Sequence, residues 1–211
     1  MWAENYSLET MRKPTTTEWM GAAFIVALAT VVMVRVFAAP GDKLGVALRA
    51  TARWSYLWFW LAYAGGALAT LFGARFQALA QRGRDFGLAF ASAHLVHVGL
   101  VAWLLHIETK PFPRTPLIFF GVGVVWIYLL ALLSVKGLAA KLRPRLGRTV
   151  RTLGLEYIAY AFLVDFAKNP FKGGVGHLFA YAPFLALAVA GPLLRLAAMV
   201  KRLGYARRLA T

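Results

Sequence analysis

Cysteine is missing from all 211 residues. Its absence excludes disulfides, thiolate metal sites, iron–sulfur ligation and thiol catalysis. Acid is scarce too, with 8 Asp and Glu against 24 Lys and Arg, a formal charge of +16. So few carboxylates leave little with which to build an ion pump. Every lysine falls outside the long apolar runs, which argues against a Schiff-base pigment held inside a helical bundle. No glycine-rich phosphate loop, Ser–His–Asp arrangement or His-Glu-x-x-His pair is present.

Apolar length is what the chain has in abundance. Hydrophobic residues make up 60% of it, charged residues only 15%, and the mean hydropathy is +0.62. In lipid only helices and closed barrels satisfy the backbone. Runs of about twenty apolar residues, rather than alternating ten-residue ones, select helices. The pattern predicts an all-α polytopic membrane protein, a six-helix bundle forming a single membrane domain. Its spans are expected at about 19–39, 54–72, 85–107, 117–135, 150–166 and 177–199. The first run is too long for a signal-peptide core and is read as a span. Thr15 to Thr17 precede it as a helix start.

The connectors carry most of the charge. Placing the N-terminus inside puts sixteen of the 24 Lys and Arg on that side and eight on the other, so both termini are expected in the cytoplasm. The lipid bilayer is thus the expected partner of the basic segments, and no nucleic-acid module is visible.

Three of the four histidines sit in the third span. At a rise of about 1.5 Å per residue, His97 lies about 18 Å beyond Asp85 and near mid-bilayer. An ionisable side chain at that depth needs a partner or a role. His94 and His97 are three apart and share a helix face, either as metal or haem ligands or as neutral imidazoles hydrogen-bonded between helices. His106 and His177 fall near the outer interface and would converge if the third and sixth spans were neighbours. Glu156 is placed either to relay protons or bind a quinone headgroup or, as expected here, to pair with Arg151 or Arg148, and Asp165 has Lys168 nearby as a partner. Trp54, Trp58 and Trp60 read as interfacial and packing residues. The small residues of AYAGGALAT allow close helix approach, and Gly191–Pro192 is expected to kink the sixth span.

A basic loop ending in Arg-x-x-Gly-Leu, here RDFGL from Arg84 to Leu88, is followed by a histidine nine residues after the leucine. This resembles the ferric reductase-like transmembrane family, and within it the bacterial branch of haem-binding membrane subunits that serve a periplasmic methionine sulfoxide reductase. The resemblance implies six spans, a bacterial inner-membrane location and a haem b held by His97, with His94 as the nearest alternative. It further implies electrons from a quinol or flavin, and other membrane or periplasmic subunits as partners. The family's fifth span opens with Trp-Arg-x-Leu-His and carries a second histidine thirteen residues later. Here that stretch reads VRTLG, with Gly154 and Ala167 at the two positions. Two readings follow: transmembrane electron transfer through an unusually held haem, or a haem-free form of the fold acting as scaffold or accessory subunit. A small-molecule transporter, suggested by the Gly-Pro interruption of the last span, is a third class.

Overall fold

The computed structural model describes residues 14–109, 111–135, 138, 143–168 and 174–209. The polar N-terminal residues up to Lys13, most of the basic loop after Val135, the turn-rich connector after Lys168 and the last two residues lie outside this set. The described residues form helices α1 (Thr16–Phe37), α2 (Lys43–Phe72), α3 (Gln77–Gln81), α4 (Gly83–Ile107), α5 (Arg114–Leu133), α6 (Pro144–Ala167) and α7 (Gly174–Leu209). Five of the six long helices are long and apolar enough to cross a membrane, the make-up of a multi-pass membrane protein. The exception is α6, which carries Arg151, Glu156 and Asp165 among its last 17 residues.

The local rules account for most helix ends. Thr15 caps α1 in a capping box with Glu18, which satisfies two otherwise orphaned donors. Asp42 caps α2 through the Gly45 N–H. This cap begins α2 eleven residues before the expected Trp54, and the early turns keep their charges satisfied. Arg49 pairs with Asp42 at 3.5 Å, and Arg53 lies over the rings of Tyr181 and Phe184. Pro144 at the first turn opens α6, where its missing N–H has no helical partner to lose. Pro183 and Pro192 both sit inside α7, which runs through them unbroken and past Met199 into the basic tail.

Packing centres on the antiparallel pair α2 and α4, with α1 against one side of both. Ala23, Ala27, Ala89 and Ala93 are almost wholly buried where α1 meets α4, the close approach that small residues permit. On the other side α7 packs on α2 and α6, and α5 packs on α6 and α4. Tyr157 donates to the Phe119 carbonyl, while Gly154 faces Trp126 and Leu130, so α5 and α6 run antiparallel. Tyr56, Phe59, Phe90, Phe162 and Phe166 meet in one aromatic core between α2, α4 and α6. The short α3 folds back onto α2, bringing Leu79 against Gly65. Outer faces are apolar: Ile25, Phe37, Ile118, Val125 and Phe179 are all more than 60% exposed, as lipid contact requires.

Candidate functional site

The α4 histidines meet two hydroxyls of α2. Ser55 and Thr51 are four residues apart on α2, and the antiparallel register sets them opposite His94 and His97. Ser55 Oγ lies 2.9 Å from His94 Nδ1, and Thr51 Oγ1 lies 3.2 Å from His97 Nδ1. Ser55, Thr51 and His94 are buried, and the two imidazoles lie 5.0 Å apart between ring centroids.

Counting protons indicates how this seam is wired. A hydroxyl has one proton to give. Thr51 Oγ1 lies 2.8 Å from the Ala47 carbonyl and Ser55 Oγ 2.9 Å from that of Ala52, the back-bonding usual for hydroxyls within helices. With those protons on the carbonyls, each oxygen accepts from an imidazole Nδ1–H. In that tautomer each imidazole donates Nδ1–H to an α2 hydroxyl and keeps a bare Nε2.

A bare Nε2 is what a haem iron needs; the surrounding space is another matter. The His94 ring is flanked by Phe90 at 5.3 Å and by Phe162 of α6 at 6.0 Å. Phe162 in turn packs on Tyr56, Phe59 and Phe166. These rings fill the region between the histidine face and α6 where a macrocycle bridging the two helices would lie. Gly154, at the position where the resemblance places a ligand, turns away from this region. A Cβ built there would approach Trp126 to 2.7 Å and Leu130 to 2.9 Å. The residues of α4 and α6 do not fit a haem held between them.

His106 and His177 are not brought together by the packing. α4 lies chiefly on α1, α2 and α5, and α7 on α2 and α6. His106 neighbours Trp103, and His177 stacks on Tyr181 with centroids 4.2 Å apart. Among the described residues no three His, Asp or Glu side chains gather as a metal-holding group.

Glu156 has partners other than Arg151 or Arg148. Arg151 is five residues back, about 140° round the helix. Glu156 instead reaches Arg195 of α7 at 2.9 Å and accepts from the Tyr63 hydroxyl of α2 at 2.6 Å. The Arg195 guanidinium also lies 4.5 Å from the centre of the Tyr63 ring. Asp165 forms no ion pair with another described residue, and Lys168, its expected partner, lies over the Phe120 ring. Trp54 and Trp60 donate to the carbonyls of Ala23 and Leu187, and Trp58 packs edge-on against Trp19 and Trp54; all three are packing residues.

The sequence reading missed Ser55, Thr51, Tyr63 and Arg195. The available signal was the spacing: two hydroxyls four apart in one apolar run, two imidazoles three apart in the next but one helix. Comparison of the chain with protein-family models, with curated proteins and with solved structures gives no match.

Proposed function

We propose that this chain is a haem-free membrane protein of ferric reductase-like architecture, with six crossings and both termini in the cytoplasm, serving as a structural subunit of a larger membrane assembly. The observation that carries the haem-free reading is the position of Gly154. The first of the two α6 positions at which the resemblance places a histidine is a tight contact with α5, and Phe162 occupies the neighbourhood of His94. The imidazoles then act as interhelical hydrogen-bonding groups that fix the register of α2 against α4. A buried polar contact of this kind is the best-attested means of specifying one helix alignment over its alternatives.

The test is spectroscopic. Full-length protein purified in mild detergent should show no Soret band and release no haem on pyridine extraction. The variant His97→Ala should leave that spectrum unchanged while lowering thermal stability. Migration with a larger membrane complex on a native gel would identify the assembly. A Soret band that shifts on reduction and disappears in His97→Ala would establish an electron carrier in place of the structural subunit.

A further inference from the structure

The bundle contains a second polar feature, a cleft of about 590 Å³ bounded by α2, the α3–α4 turn, α6 and α7. Tyr63, Glu156, Arg195 and Arg202 supply its polar groups, with Thr152 beside them. Ala62, Ala67, Leu196 and Met199 supply an apolar wall. Small residues create the opening: Gly66 of α2 has no atom within 4 Å of where a Cβ would stand.

Charge in the cleft is unbalanced. Glu156 neutralises Arg195 at 2.9 Å. Arg202 is tied to a neutral group, the Thr70 hydroxyl, at 2.6 Å, and the adjoining Lys201 to the carbonyls of Thr70 and Leu71. Among the described residues neither Lys201 nor Arg202 has a carboxylate within ion-pair distance. Arg202 therefore stands at the mouth, with Lys201 beside it in sequence, both held against the last turn of α2. Deeper in, Arg195 keeps about 29% of its side chain exposed.

The arrangement is graded along α7. The cationic end lies at the last turn of α2, and seven residues deeper Arg195 gives way to apolar surface. Leu193, one helical turn before Leu196, belongs to a shallow apolar groove that continues back to Leu178. At about 1.5 Å per residue, Leu178 to Leu193 spans about 22 Å, more than one leaflet of hydrocarbon. Cations at the mouth and an apolar track leading away from them suit an amphiphile with a phosphate at one end. Basic pockets between membrane helices at their positively flanked side are sites for anionic headgroups.

We propose that the α2–α6–α7 cleft is a binding site for the phosphate headgroup of an anionic phospholipid, with Arg202 as its principal contact and Arg195 behind it. The acyl chain follows the α7 groove from Leu196 towards Leu178. The Glu156–Tyr63–Arg195 set forms the floor and keeps the guanidinium in place. This assignment does not depend on the presence or absence of haem.

Full-length protein in neutral detergent, titrated with phosphatidylglycerol, phosphatidylcholine or inorganic phosphate, tests it, with the thermal midpoint as readout. Phosphatidylglycerol should raise the midpoint saturably, while phosphatidylcholine and phosphate leave it unchanged. Arg202→Gln should weaken the phosphatidylglycerol response about tenfold, the size of one charge-assisted hydrogen bond. Arg202→Lys should retain most of it. Arg114→Gln, which removes an equal charge at the far end of the bundle, should retain all of it. Equal responses to the two lipids, an unchanged response in Arg202→Gln, or an equal loss in Arg114→Gln would overturn the assignment. A full response to inorganic phosphate would replace the lipid with a free anion.

Discussion

At the scale of single residues, the consequence of the α2–α4 seam is that neither member of a pair can be removed cheaply. Ser55→Ala leaves the buried His94 Nδ1–H facing a methyl group, and an unsatisfied buried donor costs about 1–3 kcal/mol. Interhelical hydrogen bonds between membrane helices are worth less on average, about 0.6 kcal/mol, because the unassembled helices find other partners. Ser55→Ala and His94→Phe should therefore each lower the unfolding free energy, with a coupling of about 0.5–1.5 kcal/mol in the double-mutant cycle. Thr51→Val should cost less than Ser55→Ala, since the Thr51–His97 contact is the longer of the two, 3.2 Å against 2.9 Å, and His97 is only half-buried; strictly additive effects would show that the seam is not a hydrogen-bonded unit. Gly154→His is the sharper probe, because it restores the residue that the resemblance calls for. Its Cβ would have to displace Trp126, and overpacking of this kind costs about 1–3 kcal/mol. The variant should be less stable than the parent and should bind no haem when haem is supplied during expression. That His94 and His97 would face the bundle side by side was legible from their depth and spacing. Their hydroxyl partners were not, because a one-residue change in the α2–α4 register would have offered different side chains.

At the scale of elements, each expected span falls on a long helix, and several helices run well past the apolar stretch read from the sequence. The second begins at Lys43 rather than Trp54, since Asp42 caps it and Arg49 and Arg53 find partners. Charge was taken to signal a loop, whereas long basic side chains reach back to carbonyls and rings and let a helix continue. The tail of α7 extends for the same reason, with Lys201 and Arg202 fastened to the end of α2. The small-residue stretch of α2 was read correctly as a place of close approach, although its partner there is α3. Gly65 and Gly66 divide the roles: a Cβ on Gly65 would come within 3.2 Å of the Leu79 backbone, and one on Gly66 would meet nothing. Gly65→Val should thus destabilise the fold by about 1–3 kcal/mol, and Gly66→Val, which projects into the cleft, should not. Thermal melts of the two variants side by side decide the point, and equal losses would mean that α3 has no fixed seat on α2.

At the scale of the whole molecule, α6, with three charges in its apolar stretch, lies among five helices that are long and apolar enough to cross a membrane. α6 has 24 residues, about 36 Å at helical rise, enough for the roughly 30 Å of hydrocarbon. Its central carboxylate is compensated from outside the helix. Glu156 meets Arg195 and Tyr63, and Arg151 lies two turns from the start. An intramembrane carboxylate is costly unless paired, and these pairs come from α2 and α7, so α6 depends on its neighbours for its place. That dependence is invisible to a sliding hydropathy window, which sees Glu156 but not Arg195 thirty-nine residues later. The absence of cysteine makes the test direct, because a single introduced thiol reports without background. Thr109→Cys and Ala167→Cys should react with a membrane-impermeant maleimide on intact cells, and Gln81→Cys and Gly147→Cys only after permeabilisation. Reaction of Gly147→Cys and Ala167→Cys from the same side would leave five crossings and put the C-terminus outside. Adding Arg195→Leu to the Gly147→Cys and Ala167→Cys variants should then weaken the two-sided pattern, because Glu156 loses its counter-charge. If labelling is unaltered by that loss, hydrophobicity alone carries α6 through the bilayer and the ion pair serves only the cleft.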